Sequence, residues 1–239
     1  MRRAIGMGIV RGSKEAPRAA ERQEGRLVAT GRSATWALML ALGGLLAGCG
    51  SLFGPPPPSP HFWSLDVPSV AATSASAPAP AARPSAPVLI VARPRAAAGF
   101  DTDRIVYVRE AHRLEPYADN QWVDAPQRML EPLIAESLAG TGAFGAVLSA
   151  PSPASGQWEL DTEIVRLQHE VAAQRVRFTL RATLVDRPLR TAVAAREFDA
   201  VASTPSASPA GAVSAANVAV ADVLRQLTAF CVASAGAAH

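Results

Sequence analysis

The stretch Arg175-Val176-Arg177-Phe178-Thr179-Leu180-Arg181-Ala182-Thr183-Leu184 alternates polar with apolar residues. Side chains on a β-strand point alternately to opposite faces, so this period of two predicts a strand from Arg175 to Asp186 with one face in a core and one in water. A similar alternation runs from Gln157 to Val171 and changes phase at Val165. The two segments are predicted to form a strand pair, with a bulge or a twist out of the sheet at the phase change.

Shorter strand patterns lie on both sides of this pair. Arg113–Tyr117 is a predicted hairpin partner of the strand that precedes it. The other predicted strands are His61–Val67, Val88–Val91, Arg104–Arg109, Ala146–Leu148 and Arg190–Val201.

Two segments have the 3.6-residue period of amphipathic helices. Asp124 and Pro126 are the cap and first-turn signals of the first, which Gly140 ends. The second runs from about Pro209 to Val232 and places Cys231 among apolar neighbours, which favours a buried thiol over a reactive or intermolecular one. The element order predicts a single α/β domain, with two main helices packed on a mixed β-sheet.

The charge of the chain is unevenly distributed. The 239 residues carry a net charge of +3, but residues 1–48 hold 8 basic and 3 acidic side chains. The remaining 15 basic and 17 acidic side chains give the later part a net charge of −2. Phosphate binding needs clustered cations on the folded part, so this balance argues against nucleic acid as a partner.

An uncharged apolar stretch, Trp36–Ala47, follows Arg26 and Arg32. Its 12 residues are too few to span a bilayer, which takes about 20, but they fit the apolar region of a secretion signal. The stretch ends in Leu46-Ala47-Gly48-Cys49, which resembles the lipobox of bacterial lipoproteins. Residues 1–48 are therefore predicted to be a signal peptide, and Cys49 is predicted to carry lipid. Translation is predicted to start nearer Val28, which would shorten this signal peptide.

The segment after Cys49 determines where the chain is anchored. The residue after Cys49 is Gly50, whereas lipoproteins that are retained at the inner membrane commonly have Asp at this position. The resemblance therefore implies that the chain is anchored in the outer membrane. Residues 49–60 are a predicted Pro-rich tether, which reaches roughly 35 Å when extended. Residues 61–235 are the predicted domain, and the Ala, Ser and Pro residues of 68–87 form a low-complexity insert within it.

The sequence holds little that points to catalysis. Four separated histidines, without a His-Glu-x-x-His or Cys-x-x-Cys motif, give no support for a metal site, and no glycine-rich nucleotide loop points to a cofactor. Asp161 and Glu163 form a carboxylate pair on one strand, for which a solvated face is favoured over a catalytic dyad. Arg175, Arg177 and Arg181 fit either a wet strand face or a site for an anionic headgroup. His169 is predicted to be exposed.

Aromatic and arginine side chains are concentrated around the predicted hairpin. Tyr, Trp and Arg are the residue types enriched at binding hot spots, so contact with a partner or with a second copy in a homo-oligomer is predicted here. The alternative is that Tyr117 and Trp122 only pack the following helix onto the sheet. The candidate residues are Arg104, Tyr107, Arg109, Tyr117 and Trp122.

The segments Asp103–Tyr107 and Leu114–Trp122, with the first helix, resemble the ABC-type transport auxiliary lipoproteins, the group that contains the third component of the paraquat-inducible system. The later stretches Leu160–Leu167 and Val176–Asp186 are similar as well. The resemblance implies a mixed sheet with flanking helices. It also implies partners, namely a mammalian-cell-entry-type substrate-binding protein with its inner-membrane permease and ATPase, which move lipids across the envelope. It supplies no catalytic residues.

The sequence therefore favours a non-enzymatic lipoprotein, anchored in the outer membrane at its periplasmic face, that assists a lipid ABC transporter. Two other interpretations stay open at this stage: a lipoprotein that activates a peptidoglycan synthase, and a lipid-binding carrier with an apolar cavity. An envelope hydrolase that uses Asp161 or Glu163 is the enzymatic alternative.

Overall fold

A computed structural model of the chain describes residues 59–67 and 86–237. The predicted signal peptide, Cys49 and nearly all of the predicted tether and insert lie outside the described residues. In chain order the elements are β1 (His61–Trp63), β2 (Val88–Val91), β3 (Arg95–Ala96), β4 (Arg104–Val108), β5 (Glu115–Trp122), α1 (Pro126–Ala139), β6 (Ala146–Ser149), β7 (Trp158–Glu170), a 3-10 turn (Val171–Ala173), β8 (Arg175–Asp186), β9 (Thr191–Ser203) and α2 (Pro209–Ala237).

The long strand β7 organises the sheet. Antiparallel β8 pairs with it along one edge, from Trp158 opposite Asp186 to Glu170 opposite Arg175, and β9 pairs with the far edge of β8. On the other edge of β7, the short strands β2, β3 and β4 follow one another, all parallel to it. Strand β6 lies beyond β2, and β5 and then β1 lie beyond β4. This arrangement confirms the predicted mixed sheet.

The phase change in the sequence of β7 corresponds to a β-bulge. The register with β8 shifts between Ile164 and Arg166, where one extra residue on β7 reverses the alternation. As a result Leu167 and His169 point to the buried side that Leu160 and Ile164 occupy before the bulge.

One hydrophobic core lies between the sheet and the helices. Helix α2 packs on β8 and β9, α1 packs on β2 and β6, and the two helices touch. Trp158, Phe178 and Phe198 are among the largest side chains that are fully buried there. Together with the mixed sheet, this confirms the predicted α/β fold with two main helices.

Helix α2 is long and apolar enough to cross a membrane by length and composition alone. Its face that carries Val220, Leu224 and Leu227 is buried against the sheet, however, as in the core helix of a globular domain. Cys231 lies on the same face, and burial raises its pKa to about 12. The prediction of a buried thiol is confirmed, and a thiol with this pKa is almost entirely protonated at neutral pH.

Several predicted boundaries differ in the structure. Strand β1 ends at Trp63 rather than Val67, and α2 continues to Ala237, beyond the predicted Val232. Helix α1 begins at Pro126, and its N-cap is Ala125 rather than Asp124. The Asp124 carboxylate accepts hydrogen bonds from the Ala125 N–H, at 2.8 Å, and from Arg128 Nε, at 2.7 Å. Strand β5 begins at Glu115, later than predicted, and continues to Trp122. The residues before it form the hairpin turn, in which His112 takes a left-handed conformation with φ of 67°.

Candidate partner-binding site

The β4–β5 hairpin carries all five candidate residues but separates them into two groups. At the turn, Tyr107 lies opposite Glu115, and Arg109 and Tyr117 are close by. At the other end Arg104 lies opposite Gln121, next to Trp122. Arg104 and Tyr107 are three residues apart on β4, roughly 10 Å along the strand, and Trp122 is buried, so the second group adds only Arg104 to the exposed surface.

Tyr107 is the centre of the group at the turn. Its hydroxyl donates to Glu115 Oε2 at 2.9 Å, and this hydrogen bond raises the pKa of Tyr107. The Arg109 guanidinium lies 4.9 Å from the centre of the Tyr107 ring, a cation–π contact, while Arg109 remains exposed. Tyr107 itself is only 7% exposed. It therefore supports Arg109 and offers little surface of its own, and its role as a contact residue stays a prediction.

Tyr117 connects this group to the interior. Its ring centre lies 4.6 Å from that of Tyr107, and its hydroxyl is hydrogen-bonded to His169 Nδ1 at 2.8 Å. Burial raises the pKa of Tyr117, so the phenol stays protonated at neutral pH. The side chain is half-buried, and its outer edge remains accessible beside Arg109.

His169 is 1% exposed, so the prediction of an exposed histidine is wrong. The bulge in β7 places it in phase with Leu167 on the core face. Its Nε2 has no hydrogen-bond partner among the described residues, and burial lowers its pKa, which favours the neutral ring. The ring borders a cavity with space for roughly one water molecule, which Ala212 and Ala216 of α2 also line.

The remaining two candidates lie at the far end of the hairpin. Arg104 is exposed, and its guanidinium is 3.5 Å from the Ala118 carbonyl oxygen. Trp122 is 3% exposed and lines the same cavity as Ala212 and Ala216. Trp122 thus packs near the second long helix, α2, and offers little surface to a partner.

The arginines of β8 lie on the solvated face of the sheet and are paired with carboxylates. Arg175 and Arg177 contact Glu170 at 2.6 and 3.1 Å. Arg177 also contacts Asp199 at 2.8 Å. Because these guanidinium groups already bind carboxylates, the structure favours a wet strand face over a headgroup site for them.

Arg181 is paired in the same way. Its guanidinium bridges Glu163 and Glu197, at 3.0 and 3.1 Å, so one member of the carboxylate pair Asp161 and Glu163 is held in an ion pair. Among residues 59–67 and 86–237, no group of three or more His, Cys, Asp and Glu side chains is placed to hold a metal ion.

Two features of the site escaped sequence reasoning. The first is the acceptor role of Glu170, whose pKa is lowered by the Arg175, Gln168 and Arg177 hydrogen bonds although burial opposes them. The second is the buried His169. The phase change at Val165 could have predicted that His169 is buried, because a bulge there places Leu167 and every second residue after it on the core face.

The hairpin, the helix α1 and the β7–β8 pair together match a family model over residues 69–228, described as the ABC-type transport auxiliary lipoprotein component. The chain belongs to this family. The auxiliary lipoproteins are associated with ABC transporters, which gives the chain a transport-associated role at an envelope membrane. The family is an auxiliary transport component rather than a known enzyme family.

Two solved structures show the same fold as this auxiliary lipoprotein. Protein XCC0632 from Xanthomonas campestris is 22% identical, with a TM-score of 0.62 over 73% of this chain and 95% of its own. An uncharacterized protein is 11% identical, with a TM-score of 0.57 over 73% of this chain and 99% of its own. No curated protein matches the chain.

Proposed function

We propose that this auxiliary lipoprotein is anchored in the outer membrane through Cys49 and docks a mammalian-cell-entry-type lipid transporter of the inner membrane. It acts as a non-enzymatic adaptor, and its partners are the substrate-binding protein with its permease and ATPase. The observation that carries the proposal is the family match over residues 69–228, downstream of the lipobox-like Leu46-Ala47-Gly48-Cys49.

The anchor is supported by the order of segments in the sequence. An apolar stretch, the cysteine, a Pro-rich tether and then the domain follow one another, so 1–48 is the proposed signal peptide, 49–60 the tether and 61–235 the domain with its insert at 68–87. Each buried CH₂ of an acyl chain contributes about 0.8 kcal/mol, so two or more chains make the attachment durable.

The contact surface is proposed at the hairpin turn. Arg109 and Tyr117 are the accessible members of the group, and Tyr107 beneath them restricts the Arg109 side chain through the cation–π contact. A side chain that is already ordered loses less entropy on binding, which favours this end of the hairpin as a docking point. Arg104 begins β4, roughly 10 Å along the strand from Tyr107.

Co-purification of the lipidated protein from membranes tests the proposal. The wild-type chain is expected to recover a mammalian-cell-entry-type protein, and Arg109→Ala is expected to reduce that recovery. Arg190→Ala is the matched control, because Arg190 is an exposed arginine of the β8–β9 turn, on a different hairpin. Equal losses for both variants would contradict the hairpin as the contact surface.

The identity of the recovered protein tests the client. Recovery of peptidoglycan synthases alone would replace the transporter with a cell-wall partner. Cys49→Ser separates the anchor from the contact: the variant is expected to leave the membrane fraction and still to bind the partner when the two are mixed in detergent.

A further inference from the structure

Two apolar side chains are exposed where the chain enters the domain. Phe62 on β1 is 59% exposed, and Val123 directly after β5 is 56% exposed. They are neighbours, because Phe62 lies opposite Gln121 and the Val123 N–H donates to the Trp63 carbonyl oxygen at 2.8 Å.

The sheet register defines the rest of this surface. Phe62, Gln121 and Arg104 form one cross-strand row over β1, β5 and β4. The adjacent positions Trp63 and Trp122 point to the opposite face, where Trp122 is buried, so the row faces outward. We call Phe62, Arg104, Asp119, Gln121 and Val123 the entry patch.

The position of the tether indicates what covers the entry patch. Residues 49–60 reach roughly 35 Å when extended, and Phe62 is the second residue of the strand that follows. If Cys49 carries lipid, the tether holds this end of the domain within its reach of the membrane. A contact that is weak in solution is then favoured by the high effective concentration that the tether maintains.

The chemistry of the entry patch fits a phospholipid surface. Aromatic and apolar side chains beside an arginine are typical of residues at the membrane–water interface. Arg104 and Asp119 are both exposed, and they give the patch one cation and one anion. This pair complements the phosphate and the ammonium of a zwitterionic headgroup.

We propose that the entry patch lies on the membrane that holds the lipid anchor, with Phe62 and Val123 inserted between zwitterionic headgroups. This inference rests on the proposed anchor at Cys49. It assigns the two ends of the β4–β5 hairpin to different tasks, with Arg104 at the membrane and Arg109 at the transporter.

Site-specific labelling tests the inference in the full lipidated protein. Phe62→Cys is labelled with a polarity-sensitive dye after reconstitution in vesicles of phosphatidylcholine and phosphatidylethanolamine. Cys231 is buried and Cys49 is occupied by lipid, so the introduced thiol is the one that reacts. The matched control is Val218→Cys, because Val218 on α2 is also 59% exposed.

We expect the emission of the dye at position 62 to shift to the blue when the protein binds the vesicles, and its intensity to fall when the lipids carry nitroxide. The dye on Val123→Cys is expected to behave in the same way. The emission of the dye at position 218 is expected to stay unchanged. If the protein floats with the vesicles but positions 62 and 218 emit alike, the anchor stands and the entry-patch inference is wrong. If the protein does not float, the anchor fails and the inference fails with it.

Discussion

The Tyr117 hydroxyl and His169 Nδ1 are 2.8 Å apart, and this hydrogen bond joins the half-buried hairpin to the interior of the sheet. His169 is 1% exposed, and its Nε2 has no partner among the described residues. The imidazole therefore depends on Tyr117 to satisfy one of its two nitrogens.

Tyr117→Phe removes this bond and leaves both ring nitrogens unsatisfied, so we expect the free energy of unfolding to fall by about 1–3 kcal/mol. The double variant Tyr117→Phe/His169→Leu replaces both polar partners. Its loss, measured by urea denaturation, is expected to be smaller than the sum of the two single losses. Additive losses would show that the two side chains do not interact.

The stability of the domain is expected to decrease as the pH falls below about 6.5, the pKa of an unperturbed histidine. Burial lowers the pKa of His169 in the folded state, so the unfolded chain takes up a proton that the folded chain does not. The loss begins near the unfolded pKa and levels off below the folded pKa.

The neighbours of His169 do not titrate in this range. Tyr117 and Tyr107 have raised pKa values, Glu170 has a lowered one, and Val176, Ala212 and Ala216 are apolar. Urea unfolding at pH 7.5 and 5.5 measures the effect. His169→Gln is expected to reduce the pH dependence of the free energy of unfolding. His61 is exposed, so the control variant His61→Gln is expected to retain it. If both variants retain the pH dependence, another group causes it.

Glu170→Gln is expected to lower the free energy of unfolding by about 1–2 kcal/mol, because the charged hydrogen bonds with Arg175 and Arg177 join half-buried groups. Glu110→Gln is the control. Its carboxylate lies 3.6 Å from Arg113 and is 72% exposed, so no measurable change is expected. Thermal denaturation of both variants distinguishes them, and equal behaviour would show that burial of the network is irrelevant.

Gly211→Ala is expected to destabilise the domain by about 1–3 kcal/mol, although alanine favours helices over glycine. A Cβ at position 211 would overlap the backbone carbonyl oxygen of Ser206. Gly236→Ala in the last turn of the same helix has nothing within 4 Å of its added Cβ and is expected to be neutral or slightly stabilising. Chemical denaturation that ranked the two in reverse would contradict this account.

The regular elements could be predicted because their patterns are local. The alternation in Arg175–Asp186 defines a strand with the observed ends, and the phase change at Val165 marks the observed bulge. The apolar stripe of α2 places Cys231 in the core for the same reason. The end of the hairpin turn at Glu115 depends instead on the left-handed His112, and nothing in the pattern requires that conformation there.

The candidate site was predicted only in part, because composition does not reveal exposure. Arg109 and Tyr117 are accessible and close together, but Trp122 is buried beside Ala212 and Ala216, 90 or more residues later in the chain. The exposure of Phe62 could not be predicted from the sequence, since the pattern of a short strand does not show whether a single apolar side chain is buried or exposed.

The amino-acid sequence by itself predicted both helices and all the strands except the two-residue β3, together with the family and the candidate lipid attachment at Cys49, because periodicity and motifs are properties of neighbouring residues. Tertiary structure alone decided which polar groups meet. The parallel placement of β4 beside the end of β7 brings Tyr107 opposite His169, and β5 adds Tyr117 to the pair. The burial of each side chain depends on those distant neighbours, and no local pattern encodes them.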